Sequence, residues 1–181
     1  MFSCLLASAT LSGCAAYTKP IAFEEKPASG ESYLYGRFTI EAPKAFLGFD
    51  GYQTMGYSFT CRDGTQFIVR FSIEQPVQLI RVTPTSCSLM EIVYTNGDGQ
   101  IRGRKPSPIG VLKDVSFQAG VANYLGDYFA SSKTTSYGST LRTSWGVDAV
   151  RNNYAATTFD MKTKYHAFAN IVTQDKIGPA R

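Results

Sequence analysis

Apolar and polar residues alternate along much of the chain after residue 30. Residues 55–61 carry Met, Tyr, Phe and Cys at every second position, and residues 67–73 carry Phe, Val, Phe and Ile in the same way. A period of two residues is typical of a β-strand with one buried face. Related apolar runs predict further strands at residues 32–40, 77–83, 89–95, 111–117, 121–129 and 141–150.

The two clearest strands are joined by a segment that contains Asp63 and Gly64, a pair typical of hairpin turns. A two-residue turn would pair Phe59 with Ile68 and place the two apolar sets on opposite faces. A three-residue loop pairs Phe59 with Phe67, which places both sets on the same face. Because a slip of one residue inverts burial along a strand, we predict the three-residue loop, with Gly64 in the left-handed conformation.

One helix is predicted, at residues 154–166. Asn152 or Asn153 can cap it, and four of its residues fall on one face of a helix with a period of 3.6 residues: Tyr154, Thr158, Met161 and Tyr165. Residues 131–139 are almost entirely Ser, Thr, Lys and Gly, and residues 102–106 are mostly basic. We predict both segments as exposed loops.

The composition supports a β fold. Aromatic residues make up 13% of the 181 residues, and 16 Gly and 8 Pro supply turns. Tyr and Phe favour strands, because their rings pack well on a pleated surface. We therefore predict a mainly β fold, an antiparallel β-sandwich of about 7–9 strands with one C-terminal helix. The strand order and the choice between a sandwich and a barrel stay open.

Few residues point to chemistry. His166 is the single histidine, and the sequence holds no GxSxG, HExxH, P-loop or EF-hand pattern. We therefore expect no catalytic residue, no metal site and no cofactor, and we interpret His166 as a surface or packing residue. Asp63, beside a glycine, is interpreted as a turn former. Asp127 is the most interesting carboxylate, and we expect it to accept a hydrogen bond in a turn.

Two groups of residues are candidates for binding. Arg102, Arg104 and Lys105 can bind a phosphate or a carboxylate as an anion-binding loop, since arginine pairs well with both; the alternative is a solvated basic loop. Seven aromatic residues can form an interaction face or fill the core, and we expect most of them in the core: Tyr33, Tyr35, Tyr52, Tyr124, Tyr128, Tyr137 and Trp145.

The start of the chain carries a pattern typical of export. An apolar run ends in Leu11-Ser12-Gly13-Cys14, which resembles the lipobox of bacterial lipoproteins at all four positions. The resemblance implies that a signal peptide is removed and that the thiol of Cys14 carries a lipid. Ala15, in place of an aspartate, implies sorting to the outer membrane of a Gram-negative cell. Because no Lys or Arg precedes Leu11, we expect the natural start to lie upstream of Met1.

This signal sets the expected organisation of the chain. The signal peptide covers residues 1–13, a lipid-anchored tether covers 14–31, a β-sandwich domain covers 32–170, and a tail covers 171–181. After removal of the signal and acylation of Cys14, Cys61 and Cys87 are the one remaining pair of thiols. Since exported compartments are oxidising, we predict a disulfide between them.

The run Val121-Ala122-Asn123-Tyr124-Leu125-Gly126-Asp127, together with the signal and the serial strands, resembles small Gram-negative lipoproteins of uncharacterised function. Some members have a prealbumin-like or immunoglobulin-like β-sandwich, and the resemblance implies no catalytic residues.

We therefore expect a non-enzymatic protein that is held to the membrane by its N-terminal lipid, faces the periplasm and contacts a protein partner as an accessory component of an envelope assembly. One alternative is a module that binds peptidoglycan, another glycan or a small ligand; a hydrolase is less favoured. The export signal and the mild net charge of +4 argue against nucleic acid as a partner.

Overall fold

The computed structural model describes residues 16–18, 20–41, 54–72, 75–95, 101–107 and 111–177. One α-helix, α1 (Tyr154–Lys164), and a short 3-10 helix (His166–Phe168) occur in these residues, and the rest of the regular structure is strand. The predicted class, a mainly β sandwich with a C-terminal helix, is confirmed. The described residues hold more strands than expected, eleven in all: β1 (Ala16–Thr18), β2 (Ser32–Glu41), β3 (Thr54–Cys61), β4 (Gln66–Ser72), β5 (Val77–Val82), β6 (Thr85–Thr95), β7 (Ile101–Pro106), β8 (Val115–Phe117), β9 (Val121–Tyr137), β10 (Thr140–Arg151) and β11 (Val172–Asp175).

The strands form two sheets. The first sheet has the order β1-β4-β3-β6-β7, and β8 pairs with the first residues of β6. The second sheet has the order β10-β9-β2-β5, and β11 pairs with the first residues of β9. Most neighbours are antiparallel, whereas β1 runs parallel to β4, and both β2 and β11 run parallel to β9. The second sheet therefore joins segments that are far apart in the chain.

The β3–β4 hairpin has the predicted register. Phe59 pairs with Phe67 and Tyr57 pairs with Val69, so both apolar sets lie on one face. Gly64 has a φ angle of 83°, which is the left-handed conformation that the three-residue loop requires.

The main core lies between the two sheets. Its rings come chiefly from the first sheet, and the second sheet contributes Leu34, Ile80, Leu125 and Tyr128. The ring of Tyr57 meets the rings of Phe71 and Tyr128 edge-on, with centroid separations of 5.3 and 4.6 Å. Such edge-to-face contacts add a favourable electrostatic term to the burial of apolar area.

A second, smaller core lies between the outer face of the second sheet and α1. Met161, Tyr165 and Phe168 pack there against residues of β2, β5 and β9. The helix ends at Lys164, two residues earlier than predicted, and its buried residues are Thr157 and Met161. The N-cap position is Asn153, without a side-chain cap, while the side chain of Asn152 accepts a hydrogen bond from the N–H of Tyr154.

The prediction of a loop at residues 131–139 is wrong. β9 continues to Tyr137, and a two-residue turn with Gly138 at its first position, at a φ angle of 59°, leads into β10. Thr and Tyr favour strands, and glycine suits this turn position. The polar residues therefore lie in a long hairpin.

Strand pairing also occurs in the described parts of the segments predicted as tether and tail. β1 pairs with β4 inside the segment predicted as a tether, and Ile21 is buried against β5, where its N–H donates to the carbonyl of Leu79. In the segment predicted as a tail, β11 pairs with Val121–Tyr124 of β9. Within the described residues, strand pairing therefore extends from Ala16 to Asp175, beyond the expected boundaries at residues 32 and 170.

Two further segments differ from their predictions. The basic residues 102–106, expected in a loop, belong to β7, which pairs with β6. The strand expected at residues 111–117 is shortened to β8, because residues 111–112 form a turn in which Leu112 has a φ angle of 51°.

Candidate functional site

The predicted lipid-bearing residue and the predicted disulfide have different outcomes. Cys14 lies outside the described residues, so its lipidation stays a prediction. Cys61 and Cys87 form a disulfide between β3 and β6, where they are directly opposite each other in the register. Both are buried at the edge of the main core. The crosslink therefore fixes the end of the first sheet at which the β3–β4 hairpin turns.

Two of the three predicted anion-binding residues, Arg104 and Lys105, already have partners in the protein. The guanidinium of Arg104 pairs with Glu91 at 2.8 Å, and the ammonium of Lys105 donates to the carbonyl of Trp145 and lies 4.5 Å from the centre of its ring. The side chain of Arg102 lies outside the described residues. Arg104 and Lys105 are neighbours in a strand, so their side chains start on opposite faces, and each is held by its own internal partner.

Most of the aromatic residues fill the cores, as expected. Tyr33, Tyr35, Tyr124 and Tyr128 are at most 1% exposed, and Trp145 is half-buried against Tyr94. Tyr52 lies outside the described residues. Tyr137 is the exception, because 66% of its surface is exposed at the end of β9.

A β-bulge sets the environment of Asp127. Along β9, Tyr124 faces α1 and Leu125 faces the main core. Strict alternation would then point Asp127 toward the main core. Gly126, with a φ angle of 104°, shifts the register against β2, so that Asp127 lies on the same side as Tyr124. Bulges commonly re-aim a side chain in this way.

Close packing explains why glycine occupies both sides of this bulge. A Cβ atom on Gly36 would lie 2.6 Å from the carbonyl oxygen of Gly126, and one on Gly126 would overlap the side chain of Ile177. The bulge therefore depends on residues of β2, β9 and the C-terminal segment at once.

The carboxylate of Asp127 is 2% exposed and accepts hydrogen bonds from three side chains. The hydroxyl of Tyr124 donates to Oδ1 at 2.9 Å, and the amide of Asn153 donates to Oδ2 at 3.1 Å. The hydroxyl of Thr157 lies 2.9 Å from both oxygens. On the open side, Nε of Arg37 is 3.7 Å from Oδ2, and the same guanidinium pairs with Asp160.

This network joins β2, β9 and the first two turns of α1. Burial raises the pKa of Tyr124, so its hydroxyl keeps its proton and remains a donor to the carboxylate. Both carboxylate oxygens therefore accept hydrogen bonds from donors on β9 and at the start of α1. The arrangement holds the helix on the sheet. We expected Asp127 to bond to a turn; its partners are on a helix and on its own strand.

The other candidate chemistry is sparse. No group of three or more His, Cys, Asp and Glu residues could hold a metal ion within the ranges that the structure describes. His166 is exposed at the start of the 3-10 helix. Asp63 acts as the predicted turn former, because its side chain accepts the N–H of Thr65 and this bond lowers the pKa of the carboxyl group.

A shallow groove of about 610 Å³ crosses the outer face of the first sheet. Its described lining is polar at Ser58, Thr60, Gln66 and Glu91 and includes both Arg104 and Lys105 beside Met90. No aromatic ring is among these described lining residues. Among the described lining residues, the groove therefore offers no ring on which a sugar could stack.

The distal half of the β9–β10 hairpin is the most unusual surface. In the described chain, β9 pairs with β2 only as far as Ser131, whereas its pairing with β10 continues to Tyr137. We call residues 132–146 the arm. At its base, Trp145 packs on Tyr94 of the first sheet, and near its tip Tyr137 is exposed.

Comparisons with known proteins add no identity. No protein-family model, curated protein or solved structure matches the chain. Within the described residues, no helix combines the length and the apolar character needed to cross a membrane.

Proposed function

We propose that this chain is a lipid-anchored, non-enzymatic protein of the bacterial cell envelope, held by Cys14 to the outer membrane and facing the periplasm, which binds a protein partner through the arm. The arm carries this proposal. Tyr137 is one of the large apolar side chains that are exposed in the described residues. It lies on the part of β9 that extends past the described pairing with β2.

Several properties of the arm suit protein contact. Among the described residues, β9 has no partner on the β2 side beyond Ser131, and such an edge can pair with a strand from another chain. Tyrosine is enriched in interfaces because it buries a large ring at a low cost in conformational entropy. The hydroxyl-rich flanks are polar enough to remain soluble before a partner binds.

The base of the arm is held in place. Trp145 packs on Tyr94, and Lys105 bonds to the carbonyl of Trp145, so the arm is joined to the edge of the first sheet. A Cβ atom on Gly103 would meet the indole ring at 2.6 Å, so the ring lies directly on the β7 backbone. A hairpin fixed in this way loses less freedom when it binds than a free loop would.

The test is photo-cross-linking in the native host. A photoreactive aromatic amino acid replaces Tyr137 in one variant and Phe159 in the control. The control is well matched, because Phe159 lies on α1 and is 70% exposed, close to the 66% of Tyr137. We expect one discrete protein adduct from position 137 and none from position 159.

Two results would count against the proposal. Adducts from position 159 alone would move the contact to the helix side of the molecule. The absence of any adduct from position 137, combined with retention of the protein on peptidoglycan, would favour a glycan-binding module. Mass spectrometry of the same purified protein tests the anchor, because lipidation adds a defined mass to a chain that begins at Cys14.

A further inference from the structure

The chain joins both sheets almost immediately after the proposed lipid site. β1 begins at Ala16 and pairs with β4 from Phe67 onward, and the hydroxyl of Thr18 donates to the carbonyl of Ile68 at 3.0 Å. Two residues beyond β1, Pro20 forms a β-bridge with Ile80 of the second sheet. The segment expected to be a flexible tether therefore closes one side of the sandwich.

This short connection limits how far the domain can be from the bilayer. One residue, Ala15, separates Cys14 from β1, and two residues of chain span at most about 7 Å. A flexible tether over residues 14–31 would instead have a root-mean-square length of about 23 Å. The lipid is thus attached beside a fixed point on the domain.

The position of β1 shows which end of the sandwich carries that point. Ala16 lies beside Phe67, which is opposite Phe59 at the β3–β4 turn. The ring of Phe59 contacts Phe117 of β8, and a turn at residues 118–120 leads from there into β9. The same end therefore holds the disulfide and the start of β9, while the arm lies at the opposite end.

We infer that the anchored domain rests with this end, formed by the β3–β4 turn and the turn at residues 118–120, against the lipid headgroups, so that the arm points away from the bilayer. The inference deepens the proposed function and rests on it, because it takes Cys14 as the lipid-bearing residue. The partner of this end is the headgroup layer of the membrane itself. A β9 strand of 17 residues places the tip of the arm about 50 Å farther out.

The described charges at this end nearly cancel, and Arg81 pairs there with both Glu25 and Glu31. Arg62 and Asp114 form a two-point pair at 3.0 and 2.6 Å, and Asp63 and Lys113 are exposed beside them. A balanced surface has little net attraction for anionic lipids. The orientation therefore follows from the covalent link and from β1, and it should not depend on salt or on the charge of the lipids.

The inference can be tested with the lipid-bearing full-length product in zwitterionic vesicles whose headgroups carry an energy-transfer acceptor. Ala119→Cys and Ser139→Cys provide matched donor sites, since both are exposed positions in two-residue turns at opposite ends of β9. The introduced cysteine is the one reactive thiol of the mature chain, because Cys4 is removed with the signal peptide, Cys14 carries lipid and Cys61 is paired with Cys87. Given a separation of about 50 Å, we expect energy transfer about threefold or more higher from position 119.

A linker variant tests the cause of the orientation. Insertion of about 20 Gly and Ser residues between Ala15 and Ala16 gives a link with a root-mean-square length of about 25 Å. The difference between the two donor sites should then fall toward zero, while vesicles with anionic lipid should leave the original difference unchanged.

The possible failures are distinguishable. Equal transfer from both sites in protein whose lipid is confirmed by mass spectrometry would overturn the orientation and leave the proposed function standing. A chain without lipid on Cys14 in its host would overturn the anchor and the orientation together.

Discussion

Replacement of Asp127 by alanine should detach α1 from the second sheet before it affects the main core. The carboxylate is the shared acceptor for Tyr124, Asn153 and Thr157. Asn153 is exposed and can turn to water, and Tyr124 lies 3.3 Å from the carbonyl of Arg151, a second acceptor. Thr157 is fully buried and loses its partner, so its hydroxyl bears most of the cost.

The magnitude follows from these contacts. A hydrogen bond to a charged group contributes about 1.5–3 kcal/mol, and a buried donor left without an acceptor costs about 1–3 kcal/mol. Thr157 loses its acceptor and Tyr124 keeps a second one. We therefore expect Asp127→Ala to lower the free energy of unfolding by about 3 kcal/mol. For a urea dependence of about 2 kcal/mol per molar, the midpoint would fall by about 1.5 M.

The assay is equilibrium unfolding in urea together with amide hydrogen exchange. We expect the amides of α1 to exchange faster in the variant, while those of β3 and β4 keep their relative protection. Asp160→Ala is the matched control, because Asp160 pairs with the same Arg37 but its side chain is 49% exposed. An exposed ion pair contributes at most about 1 kcal/mol, so this variant should be nearly as stable as the parent.

A second variant tests whether the position of the Asp127 carboxylate matters as well as its presence. Gly126→Ala keeps every polar group of the network but strains the bulge, since residue 126 has a φ angle of 104°, which residues with a Cβ atom rarely adopt. We expect the same loss of protection in α1.

If Asp127→Ala costs less than about 1 kcal/mol and α1 stays protected, the network does not hold the helix and this reasoning is refuted.

Two further predictions concern stability. The Cys61→Ser, Cys87→Ser double variant opens a crosslink across 26 residues and should lose about 3.5 kcal/mol in urea unfolding; unchanged stability under oxidising conditions would contradict this. Burial raises the pKa of Tyr57, Tyr124 and Tyr128. Their contribution to the free energy of unfolding is therefore fully present below the unfolded-state pKa of about 10. Above that pH, each tyrosine with a raised pKa lowers the free energy of unfolding by about 1.4 kcal/mol per pH unit. Tyrosinate absorbance should rise together with unfolding, and ionisation of these tyrosines in the folded protein would refute the reasoning.

The parts of the fold that the sequence predicts are those with local causes. The β3–β4 register follows from Asp63, Gly64 and two alternating apolar runs within 20 residues. The disulfide follows from the count of cysteines and from the inward phase of Cys61. The residues that decide the hairpin are close together in the chain. The cysteines left after export are so few that one disulfide pairing is possible.

The first strand of the arm was missed because it has no apolar face, whereas its second strand falls within the predicted strand at residues 141–150. Residues 131–137 contain Ser, Thr and Lys on both phases of a strand, so no alternation marks the strand and only the preference of Thr and Tyr for strands remains as a signal. β1 was missed for a related reason. It is three residues long and is followed by Pro20, and short edge strands with a nearby proline are common where a sheet ends.

The environment of Asp127 shows why a buried site is harder to predict than a strand. Its face depends on the bulge at Gly126, and that bulge exists because Gly36 of β2, 90 residues earlier, lets the two backbones approach. Alternation read from one strand cannot include a shift imposed by a distant partner. The shift turns a position that would face the apolar core into one that faces Tyr124 and α1. A glycine directly before a carboxylate in an apolar strand is therefore a signal to search for the donors that satisfy the carboxylate, and here they lie at the start of the next helix.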